Sequence, residues 1–219
     1  MIIVIDGPAG SGKSSTAKAI ANRLNIRYLD SGALYRAITY LWINAGKPDK
    51  YTFFDVLSEV KLQVRSDDLT FTVVANGVDI SNEIRQQTVS NHVSELAALP
   101  QARNFVNRFM RNLVKKDAYI ADGRDLGTAV FPEADLKFFM DASIDERAKR
   151  RFKELKDKGA SVTFNEVAKN LKDRDYQDSN RKADPLRKAD DAITIDTTGK
   201  TFDEQVLEMT EIIKEKLTL

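Results

Sequence analysis

The chain has 219 residues, and 34 Lys and Arg against 33 Asp and Glu leave a formal net charge of +1. Hydrophobic residues at 42% exclude a disordered low-complexity chain, and the near-neutral balance excludes coating of nucleic acid by bulk positive charge. With no cysteine there are no disulfides or thiolate zinc sites, and a chain of this length buries roughly 70% of its unfolded surface, enough for one domain with an inserted subdomain.

Five short apolar runs read as strands, at residues 2–5, 27–29, 118–121, 136–140 and 192–195. Most are continuous rather than alternating, the pattern of parallel strands covered on both faces. Helical patterns separate them. After the first run Ala17, Ile20, Ala21 and Leu24 share one helical face. Residues 33–45 follow Ser31, a candidate cap, and stop at Gly46. The alternation then breaks. Residues 61–65, 69–75 and 78–80 read as three short strands joined at Asp67-Asp68 and at Asn76-Gly77, the latter a strong hairpin signal. A small antiparallel insert over about residues 60–85 is expected. Pro100 opens a helix expected to turn Phe105, Val106, Phe109 and Leu113 inward. Thr163 with Glu166, and Thr201 with Glu204, spell capping boxes ahead of two further helices. The whole order predicts an α/β fold: a five-stranded parallel sheet with helices on both faces, plus the antiparallel insert.

The first residues carry no basic, cleavable leader, and the uncharged stretch at 37–46 is too short to cross a bilayer. A cytoplasmic protein without membrane partners is expected.

Gly7-Pro8-Ala9-Gly10-Ser11-Gly12-Lys13-Ser14 fits G-x-x-x-x-G-K-[ST] between an apolar strand and an amphipathic helix. Such a loop points consecutive backbone N–H groups at phosphate oxygens, and the helix N-terminus adds its positive end. Residues 7–14 with Ser15 are therefore the expected nucleoside triphosphate-binding segment, with Lys13 on the β- and γ-phosphates and Ser14 on Mg²⁺, and the motif alone leaves a switch GTPase, a motor ATPase and a small-molecule kinase open. Asp122, ending the third parallel run, is a second candidate Mg²⁺ holder through water, although Asp122-Gly123 also reads as a simple turn. No Asn-Lys-x-Asp occurs, which disfavours a guanine-specific switch; Asn180-Arg181-Lys182-Ala183-Asp184 has the wrong spacing.

Arginines follow the strand ends, where ligands collect in an open α/β sheet. Arg36 lies beyond Asp30-Ser31-Gly32, and Arg124 sits in Gly123-Arg124-Asp125; both suit a second phosphate group. For Arg147, Arg150 and Arg151 on the expected helix at 145–158, a solvated face and a phosphate-clamping lid carry equal weight. The single histidine, His92, is expected on a helix surface or interface rather than in catalysis. Without cysteine or a second histidine, the chemistry that fits is attack by an already anionic phosphate, which needs no base.

Further blocks stand beside the phosphate loop: Leu29-Asp30-Ser31-Gly32-Ala33-Leu34-Tyr35-Arg36, Leu99-Pro100-Gln101-Ala102-Arg103, Asp122-Gly123-Arg124-Asp125-Leu126-Gly127-Thr128, and Arg174-Asp175-Tyr176-Gln177-Asp178-Ser179-Asn180-Arg181. In these blocks the chain resembles the bacterial cytidylate kinase family over nearly its whole length. That resemblance implies a P-loop nucleoside monophosphate kinase fold and transfer of phosphate from ATP, with Mg²⁺, to CMP or dCMP. It implies Arg36, Arg124 and Arg181 on the CMP phosphate, Ser31, Arg103 and Asp125 on cytosine, and Ser94, Arg174 and Asp178 on the pentose. Lys13, Arg147, Arg150 and Arg151 would be the catalytic cations. A single domain would divide into a core (about 1–35, 116–145 and 186–219), a monophosphate-binding region with the insert (about 36–115) and a lid (about 146–185). A monomer with no nucleic-acid partner is expected. The competing readings are a kinase for UMP or for a hydroxyl substrate such as shikimate, and a nucleotide-binding switch.

Overall fold

Each of the five apolar runs becomes a parallel strand, and each strand continues one residue further, into an aspartate. In chain order the strands of this computed structural model, which describes residues 1–57, 59–67, 70–157 and 159–218, are β1 (Ile2–Asp6), β2 (Arg27–Asp30), β3 (Leu62–Ser66), β4 (Phe71–Ala75), β5 (Val78–Asp79), β6 (Tyr119–Asp122), β7 (Leu136–Asp141) and β8 (Ile193–Asp196). The helices are α1 (Lys13–Leu24), α2 (Ser31–Asn44), α3 (Lys50–Leu57), α4 (Gln87–Ala97), α5 (Pro100–Leu113), α6 (Ile144–Asp157), α7 (Phe164–Asn180) and α8 (Phe202–Leu217).

The parallel sheet runs β2-β6-β1-β7-β8. Ile3, Val4 and Ile5 are all fully buried, so both faces of the central strand are covered. The chain first builds to one side of β1 and then crosses to the other. The crevice at the carboxyl ends around β1 is therefore the switch point where this class of sheet binds ligands. The terminal aspartates serve that end of the sheet. Asp30 caps α2 by accepting from Ala33 N at 2.8 Å, so Asp30, not Ser31, is the cap; Asp141 and Asp196 accept from Ala142 N and Thr198 N.

The insert is a separate antiparallel sheet, β3-β4-β5. Asn76 and Gly77, at φ 50° and 85°, make the β4–β5 turn with both central residues left-handed. Of the expected first turn and second strand, Asp68 and Leu69 lie outside the described residues. The insert protects the open edge of β2: Tyr28 N donates to Asp67 O at 2.9 Å, Ser66 Oγ donates to Tyr28 O, and Phe71 meets the Tyr28 ring edge-on.

Both capping boxes form, at Thr163–Glu166 and Thr201–Glu204. The α6–α7 pair has its own small apolar cluster, in which Ala148, Val167 and Leu171 pack with Ala9 of the phosphate loop. Helix α5 is rotated from its expected orientation. Its buried face is Ala102, Arg103, Val106, Asn107 and Met110, while Phe105, Phe109 and Leu113 are half-buried at the flanks. That rotation drives Arg103 into the interior, because a buried aspartate waits for it there. Among the described residues no helix is long and apolar enough to cross a membrane.

Candidate active site

The crevice at the carboxyl ends of the strands is a cleft of about 780 Å³, a volume ordinary for a small-molecule site. Its floor is the phosphate loop. Gly7 has φ 148° and a side chain there would run into Met140 O at 2.0 Å, so only glycine lets β1 turn this closely beside β7. The loop ends on Gly12 (φ 92°), the residue before α1, so the helix N-terminus opens into the cleft. Gly10, Gly12, Lys13, Ser14 and Ser15 line the cleft, whereas Gly7, Pro8, Ala9 and Ser11 shape the loop from behind. Lys13 Nζ donates to Pro8 O at 2.6 Å and Ser11 Oγ at 3.1 Å. Burial, with Arg124 nearby, pulls its ammonium well below the usual lysine range.

At the end of β6, Asp122 accepts from Ser14 Oγ and from the Tyr28 hydroxyl, each at 2.6 Å. Burial and neighbouring Asp30 push its carboxyl up. Ser31 Oγ donates to Asp122 O at 2.6 Å, which draws β6 and the start of α2 together. Behind them, Asp6 accepts from Leu126 N at 2.9 Å and Gly127 N at 2.7 Å, coupling the base of the phosphate loop to the segment after Asp125. Burial raises its carboxyl to about 6.

Among the arginines that line the cleft, four guanidinium groups lie close enough to act on one another. Arg36 comes from α2, Arg124 from the loop after β6, Arg151 from α6 and Arg174 from α7, and all four line the cleft. Burial lowers Arg174 to about 10, helped by Arg124, Arg36 and Arg151; burial also lowers Arg36, helped by Arg85, Arg151 and Arg124. Cations crowded enough to depress one another mark a place for an anion.

The far wall is a chain of alternating charge. Arg103 Nε lies 2.5 Å from Asp184 Oδ2, and Arg103 Nη2 donates to Asp125 Oδ2. Arg181 Nη2 takes the other Asp125 oxygen at 2.6 Å. Arg181 also faces Asp178 at 3.7 Å, and Asp178 pairs with Arg124 at 3.0 Å. Burial pushes the Asp125 carboxyl up despite both arginines. The acids of this wall offset part of the arginine charge, while the cleft lining as a whole stays cationic.

These residues can bind two phosphate-bearing groups, one at the loop and one at the guanidinium cluster. Asp125 lines the same cleft. A family model for cytidylate kinase matches residues 3–215. The chain belongs to the cytidylate kinase family. It is similar to the cytidylate kinase of Clostridium botulinum (strain Okra), 44% identical over 216 residues and 97% of each chain. It is also similar to that of Streptococcus mutans, 45% identical over 90% of this chain and 88% of that one. In fold it is similar to an uncharacterized protein from Eubacterium ventriosum, with a TM-score of 0.52 at 15% identity over 98% of both chains.

In this kinase Ser31, Ser94, Asp178 and Arg181 also line the cleft, as does Arg150. Arg150 is more than a surface partner of Glu146: it donates to Thr197 O at 2.7 Å and Thr197 Oγ1 at 3.1 Å, fixing α6 to the end of β8. Two expected site residues are set elsewhere. Arg103 lies behind Asp125 and is 2% exposed. Arg147 does not line the cleft; its guanidinium bonds Ala142 O, Ala9 O and Asp175. His92 sits on α4 with Lys47, Glu95 and Trp42, outside the cleft. Among the residues that motif reading passed over, Asp30 lies beside Ser31 and Asp175 inside the Arg174 block, so proximity to a motif was the available signal. Lys200, Phe202 and Gln205, at the start of α8, also line the cleft and carry no sequence signal.

Proposed function

We propose that the protein transfers the γ-phosphoryl group of ATP to CMP or dCMP, giving ADP and the nucleoside diphosphate. The observation that carries this reading is that one cleft is lined by a phosphate loop, a guanidinium cluster and the buried carboxylate of Asp125. Cytosine presents a 4-amino donor that Asp125 accepts, whereas uracil presents a carbonyl that it repels. Arg36, Arg124 and Arg181 hold the acceptor phosphate, and Ser94, Arg174 and Asp178 hold the sugar. In this reading α6 and α7 form a lid, and the segment from α2 to α5, with the insert, forms the monophosphate-binding region.

The acceptor phosphate oxygen is anionic, so no residue need remove a proton from it. The protein's work is alignment and neutralisation: Lys13 and the loop N–H groups hold the donor phosphates while the arginines hold the acceptor in line. The oxygen donors of Ser14 and Asp122 fit Mg²⁺, which takes few protein ligands and completes its shell with phosphate oxygens and water. When bound it neutralises charge on the donor phosphates. Ser14 and Asp122 would hold it, and the Tyr28 hydroxyl, which donates to Asp122, would keep that carboxylate oriented.

The test is ADP formation from MgATP with CMP, dCMP, UMP, AMP or shikimate offered separately. CMP or dCMP should raise ADP formation far above the ATP-only rate and above the others. A rate equal to that with ATP alone overturns the proposal.

A further inference from the structure

Asp184 lies in the loop after α7, outside every motif, yet it holds both arginines that grip Asp125. Its carboxylate takes Arg103 Nε at 2.5 Å, and its backbone carbonyl takes Arg181 Nε at 2.8 Å. To do so it adopts a left-handed backbone, φ 45°, which Asp tolerates better than most residues. Arg103 is almost wholly buried, and its remaining bonds go to Ala97 O and to Asp125.

A carboxylate offers about four lone-pair directions, and a guanidinium prefers to meet it with two parallel bonds. Here Arg103 and Arg181 each spend one nitrogen on Asp125, on different oxygens, because Asp184 occupies the Nε of both. Each Asp125 oxygen therefore carries one of these bonds and keeps lone-pair capacity beyond it, and Asp125 is among the residues that line the cleft. Without the Asp184 carboxylate, a buried Arg103 has one acceptor fewer, and its fork closes on Asp125 instead. We infer that Asp184 is a positioning residue for base discrimination: it restrains Arg103 so that Asp125 keeps an acceptor free for an amino-bearing pyrimidine. This rests on the reading of Asp125 given above.

The test measures kcat and KM for CMP and UMP, and KM for ATP, in the wild type, Asp184→Asn and Asp184→Ala. Asn keeps the left-handed backbone and a neutral acceptor, so it should rescue part of what Ala loses. The inference expects KM for CMP to rise about tenfold in Asp184→Ala, with the preference for CMP over UMP reduced alike, while kcat at saturating CMP and KM for ATP stay within about threefold. In an Asp125→Asn background the Asp184 substitution should add nothing to the loss of preference. Variants that retain the wild-type preference, or that lose kcat and ATP affinity together with it, overturn the inference. A wild type that prefers no cytosine nucleotide overturns the functional reading itself, and the inference with it.

Discussion

Arg147 and Asp175 close a bracket around one residue of the phosphate loop, Ala9. Arg147 Nη1 lies 2.5 Å from Asp175 Oδ2, and between them they take Ala9 O at 2.9 Å and Ala9 N at 3.0 Å. The helices that carry Arg150, Arg151 and Arg174 are thereby held in register with the loop. Asp175→Asn leaves a buried guanidinium short of its counter-charge and should cost about 2 kcal/mol, a fall of roughly 4–8 °C in Tm. Thermal denaturation reads this directly, and an unchanged Tm would show that the bracket bears no load.

Asp125→Asn replaces an acceptor by a group that can donate toward a 4-carbonyl. The expected result is a fall of about 10–100-fold in kcat/KM for CMP, a narrower gap to UMP and an unchanged KM for ATP. Steady-state kinetics with both nucleotides checks it; an intact CMP preference would move base reading elsewhere in the cleft.

Asp6 makes stability depend on pH in a calculable direction. Its carboxyl is raised from 3.8 to about 6 by burial, against the N–H groups of Gly127 and Leu126 that favour the anion. The folded protein therefore holds a proton between these values that the unfolded chain has released. The stability tied to that proton is fully present below about pH 4 and is lost as pH rises through 6. Two pH units correspond to about 3 kcal/mol. Urea unfolding of the wild type and of Asp6→Asn should show their difference shifting against the wild type by about this amount between pH 4 and 7. A constant difference across that range would contradict the raised value.

The sheet was readable because most of its strands are nearly continuous apolar runs, as burial of the central strands on both faces requires. Apart from Asp122, their last residues were not, because Asp6, Asp30, Asp141 and Asp196 look like the start of loops. Asp30, Asp141 and Asp196 accept from the turns and helix start that follow them, and Asp6 from the segment after β6. The phosphate loop was legible because its chemistry is local. The face of α5 misled, since Phe105 and Phe109 outrank Arg103 in hydrophobicity, and only a distant aspartate makes burying an arginine worthwhile. Asp184 was invisible for the same reason: its partner Arg103 is 81 residues away.

Ser14→Ala removes the hydroxyl that Asp122 accepts from, and with it one oxygen proposed to hold Mg²⁺. The Mg²⁺ concentration giving half-maximal activity at fixed ATP should rise about tenfold, with KM for CMP unchanged. A metal titration that superimposes on the wild type would remove Ser14 from that role.

Arg36→Lys keeps a charge but loses the planar fork among the crowded guanidinium groups of the cleft. KM for CMP should rise about tenfold while KM for ATP holds. Equal effects on both substrates would place Arg36 outside the acceptor site.

The most direct measurement follows a label. With ATP labelled in its γ-phosphate, Mg²⁺ and CMP, chromatography of the products should find the label in CDP, with little in inorganic phosphate. Label found in inorganic phosphate alone, whether or not CMP is present, would contradict a transferase built around two phosphate sites.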